Sequence, residues 1–236
     1  MKDLSNKVAI ITGSSSGVGA ATARLFASLG CHIVINFNAN SAGAEQVAKE
    51  CEELGVETVC FGGSVANDTD CVAMVKAAMD KWGRVDILVN NAGTTKFVDH
   101  NNLDGLDAED FQRIYGVNVI GCYQMTRAAR AAMEANGEGG AVVNIASTAA
   151  VTGIGSSIAY AASKGAMVTM TMSLARVLGP KIRMNAVCPG FIEGDWLREG
   201  LGDTQYEAVR DANRRDAPLG VTACPDTVAE AILHFV

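Results

Sequence analysis

The sequence predicts a single α/β domain built on a doubly wound parallel sheet of six strands, with helices on both faces. Three observations carry this expectation. Short, β-branched apolar runs recur along the chain, at residues 8–11, 33–37, 58–61, 85–89, 141–146 and 182–187. Each reads as a strand buried on both faces, the pattern of a parallel sheet. Between them lie longer stretches of helical periodicity, at 17–29, 41–54, 68–82, 107–135 and 158–178. Glycine then stands at or near the end of each helical stretch, at Gly30, Gly55, Gly83, Gly137 and Gly179, where a helix commonly stops. Strand, helix, glycine, strand is the rhythm of βαβ units. No linker or low-complexity tract interrupts it, so residues 1–236 read as one domain.

Residues 191–220 break the rhythm. They are polar, carry Trp196 and Tyr206, and show weak helical periodicity only around 204–212. An excursion after the carboxyl end of the sixth strand is expected to be a substrate lid, with a plain surface loop as the alternative.

Composition removes several function classes. Nineteen basic residues against 26 acidic give a net charge of −7, and no basic face that would suit a nucleic acid is visible. The apolar runs are strand-length, too short to span a membrane. The start, Met1-Lys-Asp-Leu-Ser-Asn-Lys, lacks the apolar core of a signal peptide. The seven cysteines are an odd number with no Cys-x-x-Cys, and no Cys/His pair has zinc-ligand spacing. They predict reduced, mostly buried thiols, no metal, and a cytoplasmic protein.

The chemistry-bearing residues lie where strands end. Thr12-Gly-Ser-Ser-Ser-Gly-Val-Gly19 follows the first strand and opens the first helix. Glycines there let a phosphate approach backbone N–H groups at a helix N-terminus. No Gly-Lys-Ser/Thr follows, so the loop is not a Walker motif. Asn90-Asn-Ala-Gly93 closes the fourth strand and Ser147 follows the fifth. Tyr160 and Lys164 are four residues apart on one helix, so both project from the same face. A cation held near a phenol lowers its pKa from about 10, which is what a proton donor or acceptor at neutral pH requires.

Taken together and in order, these motifs resemble the short-chain dehydrogenase/reductase family over nearly the whole chain. Thr12–Gly19 matches its TGxxxGxG, Asn90–Gly93 its NNAG, Tyr160–Lys164 its YxxxK, Asn118 its helix asparagine and Pro189-Gly190 its PG motif. Ser147 stands thirteen residues before Tyr160, a spacing common in that family. The resemblance implies a Rossmann fold and hydride transfer between NAD(P)(H) and a carbonyl or secondary alcohol. Ser147 would bind the carbonyl oxygen and Tyr160 would exchange its proton. Lys164 would tune Tyr160 and hold the nicotinamide ribose, and Asn118 would support a water relay. Cofactor contacts would come from Gly13, Ser15, Ser16, Gly17, Val18, Gly19, Asn38, Ser64, Val65, Asn91, Ala92, Gly93, Tyr160, Lys164, Pro189, Gly190 and Ile192.

The 3-oxoacyl-carrier-protein reductase branch is the nearest in pattern, with a sugar or polyol dehydrogenase of the same family as the alternative. A catalytically silent nucleotide-binding regulator is the alternative of another class. The substrate is expected to be a small-molecule or acyl-thioester carbonyl compound, and the assembly a homodimer or homotetramer. Small and apolar residues of the Tyr160 helix, Ala161, Ala166, Met167 and Met170, would suit either an interface or internal packing.

Four positions depart from the family pattern. Phe37 stands where NAD-selective members often carry an acid at the end of the second strand, which leans the cofactor towards NADP over NAD. No nearby Arg or Lys supplies a countercharge, so Asn38, Asn40 and Ser41 are the candidate phosphate partners. Ser64 replaces an acid expected to contact adenine, and Gly194 replaces a threonine expected to contact the nicotinamide amide. The fourth departure is a seventh strand with no counterpart. Either the chain is truncated or the sheet ends at six strands, leaving an edge exposed.

Overall fold

The structure, a computed structural model, describes residues 3–236. Among these residues one parallel sheet of six strands runs in the order β3-β2-β1-β4-β5-β6. The strands are β1 (Val8–Ile11), β2 (His32–Phe37), β3 (Thr58–Gly62), β4 (Ile87–Asn90), β5 (Gly140–Ile145) and β6 (Ile182–Val187). The helices that cross between them are α1 (Gly17–Ala27), α2 (Ser41–Glu53), α3 (Asp68–Trp82), α4 (Ala108–Tyr115), α5 (Cys122–Ala135), the short α6 (Ala149–Thr152) and α7 (Ile158–Leu178). The chain closes with α8 (Asp195–Leu201), α9 (Asp203–Asp216) and α10 (Pro225–His234).

Alternation along the central strands builds two cores. Ala9, Ile11, Ile33, Ile35, Ile87 and Val89 face one layer, where Phe26 and Ala23 of α1, Val47 of α2 and Ile232 of α10 pack. Val8, Ile10, Val34 and Leu88 face the other, against Met74 and Val75 of α3 and Met125, Ala129 and Met133 of α5. Burying each large apolar side chain this way contributes about 1.5–3 kcal/mol. β1 pairs with β2 on one side and β4 on the other. Strand order therefore reverses at β1, which opens a crevice at the carboxyl edge of the sheet.

Four elements differ from the expectation. The fourth strand starts at Ile87, and the Asp86 carboxylate just before it accepts from the Val8 N–H and pairs with Arg84. The single helix expected over 107–135 is α4 and α5 joined by a π-helical turn, Gly116–Gly121. The stretch 191–220 is mostly helical rather than weakly patterned. The last residues form α10, whose Pro225 suits the first helical turn.

Candidate active site

The glycine loop is built by polar side chains buried beneath it. Gly13 adopts φ +61°, a conformation open to glycine at little cost. Its N–H donates to Asn36 Oδ1 at 3.0 Å. Asn36 lies inside β2, and its Nδ2 also donates to the carbonyls of Phe61 and Gly63, at 3.2 and 3.0 Å. From the other side, Asn91 Nδ2 donates to the carbonyls of Thr12 and Gly13, at 2.9 and 3.0 Å. Thr12 Oγ1 accepts from the N–H groups of Asn91 and Ala92. β2 and the end of β4 thus clamp the loop at the switch point.

The loop leaves room for a ligand. At Gly19 a Cβ would lie 2.6 Å from both Asn91 Nδ2 and the Gly13 carbonyl, so only glycine allows α1 this close. Ser16, the N-cap of α1, makes no side-chain capping bond. Ser15 is partly exposed, Ser16 and Gly17 are exposed or nearly so, and Val18 is partly buried behind them. First-turn N–H groups free of a side-chain cap are suited to a phosphate.

Around the crevice, Asn38 is exposed just beyond β2. The Phe37 ring packs over Gly62, where a Cβ would stand 3.1 Å away. Ser64 Oγ accepts from Ala66 N–H and its own N–H donates to Asp70, which shapes the turn before α3. Val65 is buried, and its carbonyl accepts from Gln124 Nε2 at 2.9 Å. The Pro189 carbonyl accepts from Thr148 N–H at 2.9 Å, joining the loop after β6 to the loop after β5. Gly190 borders open space, with no atom within 4 Å of where a Cβ would stand, and Ile192 pairs with Ala223 as an isolated bridge.

Ser147, Tyr160 and Lys164 meet beside Gly93. Ser157 caps α7, its Oγ accepting from Tyr160 N–H at 3.3 Å, so Tyr160 sits in the first turn. Lys164 lies one turn on, with Nζ 5.6 Å from the Tyr160 ring centroid. Nζ donates to the Ile145 carbonyl, at the end of β5, at 2.6 Å. A Cβ at Gly93 would stand 3.7 Å from that Nζ and 3.6 Å from Asn118 Oδ1. Glycine therefore keeps the space open next to the lysine.

The electrostatics differ from the expectation in one respect. Burial pushes Lys164 down from 10.5 to about 8. Burial also pushes the Tyr160 phenol up, opposed by a hydrogen bond from Ser147 that lowers it. The expected depression of Tyr160 by Lys164 is not seen: burial raises the phenol, and Ser147 is the group that lowers it. The ammonium points to a backbone carbonyl and is itself desolvated, so Ser147 is the side chain that favours the phenolate. Cys122, pushed up to about 12 by burial, packs into the same interior and Lys164 opposes that rise.

Asn118 lies in the π turn, fully buried. Its Oδ1 accepts from Thr94 N–H at 2.8 Å, and its Nδ2 donates to the Thr94 carbonyl and Ser163 Oγ, each at 3.0 Å. Ser163 Oγ donates in turn to the Tyr160 carbonyl at 2.7 Å. The amide thus ties the loop after β4 to the Tyr160 helix, which commits its side chain. π turns concentrate at functional sites.

Several residues of this site carry no signal in the sequence. Asn36 and Ser163 are ordinary polar residues whose partners come from other elements. Phe97 and Trp196 are far apart in the chain, yet their ring centroids are 5.7 Å apart, and Trp196 is 6.3 Å from Tyr160. An isolated aromatic in a polar stretch is the available hint.

Comparison with known proteins shows the family. The family model described as short chain dehydrogenase matches residues 7–203. A protein of Streptomyces violaceoruber named as putative ketoacyl reductase 2 of the granaticin polyketide synthase is 36% identical over 229 residues, covering 97% of this chain and 89% of its own. A 3-oxoacyl-[acyl-carrier-protein] reductase of Synechocystis is 34% identical over 196 residues, 83% of this chain and 78% of its own. The crystal structure of an NAD+-bound xylitol dehydrogenase superposes with a TM-score of 0.90 at 26% identity, covering 99% of this chain and 93% of that one. The chain belongs to the short-chain dehydrogenase family and is an oxidoreductase acting on CH–OH groups.

Proposed function

We propose that the chain is a ketoreductase of the 3-oxoacyl-thioester type, interconverting a carbonyl and a secondary alcohol with a nicotinamide cofactor. The observation that carries this reading is the convergence of Ser147, Tyr160 and Lys164 beside Gly93. The nicotinamide, when bound, supplies or accepts the hydride. The glycine loop and the uncapped start of α1 suit its pyrophosphate. Ser147 holds the carbonyl oxygen, and Tyr160 gives it a proton as charge develops there. Lys164 Nζ, anchored on Ile145, would hold the ribose of a bound cofactor and restore the proton. Asn118 positions the Thr94 loop and the Tyr160 helix against each other.

NADP is the preferred cofactor in this reading, with NAD second. Phe37 places no negative charge at the end of β2, and the N-terminus of α2 packs on the glycine loop, Gly43 lying against the Ser15 carbonyl. The expected result is tighter binding of NADPH than NADH by fluorescence titration, then oxidation of the bound NADPH by acetoacetyl-CoA. Faster oxidation of xylitol with NAD would favour the polyol reading, which the xylitol dehydrogenase neighbour supports. Cofactor binding with no turnover across a carbonyl panel would favour the silent regulator.

The same reading includes a cytoplasmic homodimer or homotetramer. Its support is the exposed apolar set Phe111, Ile120 and Tyr123 on α4, the π turn and α5, with Met172 and Val177 on α7, together with thiols that are all free among the described residues. Ala161 and Met167 are buried inside the subunit and serve internal packing instead. No described helix is long and apolar enough to cross a membrane. Sedimentation of the cytoplasmic fraction is expected to give two or four times the 24.6 kDa chain mass; a monomer, or secretion, would overturn it.

A further inference from the structure

We propose that Phe97 and Trp196 are the specificity-determining residues of this site, an aromatic wall that selects carbonyls bearing a flat apolar group over polyhydroxy compounds. The inference rests on the reading of Tyr160 as the proton donor. Three rings run in series from that donor, Tyr160 to Trp196 at 6.3 Å and Trp196 to Phe97 at 5.7 Å, each pair tilted. Aromatic pairs favour such offset, tilted packing, and a flat substituent can extend it. Phe97 comes from the loop after β4 and Trp196 from the first turn of α8. Trp196 remains 49% exposed, an apolar surface left open beside the Tyr160 ring.

The wall is held in place. Gly200, one turn beyond Trp196, lies flat on Phe97, where a Cβ would overlap the ring. Gly194 N–H donates to Tyr206 Oη at 3.2 Å, and Tyr206 is buried against Phe191. Arg198 stacks over the Tyr206 ring at 4.2 Å and pairs with Asp203 and Glu207. α8 is therefore anchored to α9.

Charged groups on the Phe97 side of the wall are already engaged. Lys96 pairs with Asp110 at 2.6 Å, and Arg113 with Asp110 and Thr94. A polyol would need partners for each hydroxyl, and buried polar groups left unpaired penalise binding. Two aromatic faces offer area instead. On the opposite loop, Gly155 packs against Tyr160 and its neighbour Ile154 is strongly exposed, extending the apolar character.

The test compares ethyl benzoylacetate, ethyl acetoacetate and fructose by kcat/KM. The native protein is expected to prefer the phenyl ketoester over the methyl one by about tenfold or more, and fructose least. Trp196→Ala and Phe97→Ala should each bring the phenyl-to-methyl ratio close to one, and Trp196→Phe should restore most of it. An unchanged ratio in both alanine variants, or fructose as the best substrate, overturns the wall.

Binding is read separately, so that failure of turnover is distinguishable from failure of the wall. The chain has two tryptophans, and Trp82 sits at the end of α3, stacked on His32. In Trp82→Phe the emission is that of Trp196. Saturable quenching by acetophenone, lost when Phe97→Ala is added, supports the wall even where no ketone is reduced, in which case the ketoreductase reading falls alone. Linear quenching, or saturation that survives Phe97→Ala, overturns it.

Discussion

Tyr160→Phe is expected to lower kcat by about a thousandfold while changing the dissociation constant for the reduced cofactor by no more than about threefold. The ring contacts with Trp196 and Gly155 survive the loss of one oxygen, so the variant removes the proton and the Ser147 hydrogen bond and keeps the packing. Its pH behaviour carries the sharper test. Burial raises the phenol, and the Ser147 hydrogen bond lowers it. A raised phenol keeps its proton through neutral pH, so the resting site is set to donate. Reduction should therefore be level near neutrality and fall as pH climbs through the phenol's titration. Oxidation needs the phenolate and should rise over the same range. Ser147→Ala removes the interaction that favours the phenolate, so the oxidation limb should move to higher pH. A Tyr160→Phe protein with native turnover would falsify the proton-donor assignment, and an oxidation limb unmoved in Ser147→Ala would remove Ser147 from the tuning.

The scaffold is legible in the sequence because a parallel sheet announces itself locally. Buried strands such as Val8–Ile11 must be apolar at every position, and helices such as α3 end at a glycine. The Tyr160–Lys164 pair is equally readable, since four residues is one helical turn. Anything made by two distant segments is not. Asn36 looks like a flaw in an apolar strand until its amide is seen holding Gly13, Phe61 and Gly63 together. Lys164 looks, from spacing alone, like a neighbour for the Tyr160 oxygen. Its partner, the Ile145 carbonyl, lies 19 residues away across the β5–α7 junction, and no helical spacing argument reaches there. The helices of the 191–220 stretch are hidden for a related reason. α9 is polar along most of its length and is held by Tyr206, Arg198 and Glu207 rather than by an apolar stripe, so periodicity has little to register. α10 is obscured because its apolar residues Val228 and Ile232 find their partners on α1 and the sheet.

Lys164→Met should make the cofactor-free protein more stable at pH 7 and nearly inactive. Lys164 is 3% exposed and its hydrogen-bond partner is a neutral carbonyl. Desolvation of the ammonium is thus only partly offset, and burial holds the group at about 8 against 10.5 in an exposed lysine. At about 1.4 kcal/mol per pH unit, that difference corresponds to a destabilisation on the order of 3 kcal/mol below pH 8. The sign follows from proton binding. Between about 8 and 10.5 the unfolded chain holds the proton and the folded chain has released it, so stability rises with pH across that window. Methionine matches the unbranched stem and adapts to the same channel, at the loss of about 1 kcal/mol for the bond to Ile145. The net gain of about 2 kcal/mol corresponds to a rise in Tm of about 4–8 °C at pH 7 for a domain of this size. That advantage should shrink steadily towards pH 10, because only the wild-type protein is relieved of the charge. Thermal melts of both proteins at roughly pH 7, 8, 9 and 10, without nicotinamide, isolate the effect, since groups distant from the lysine titrate alike in the pair. A variant that melts below the native protein at pH 7, or a difference independent of pH, would show that the ammonium is compensated in the resting site. If the gain appears, the lysine is retained against stability for what it does to the bound ligands and to Tyr160, which is the signature of a site selected for function.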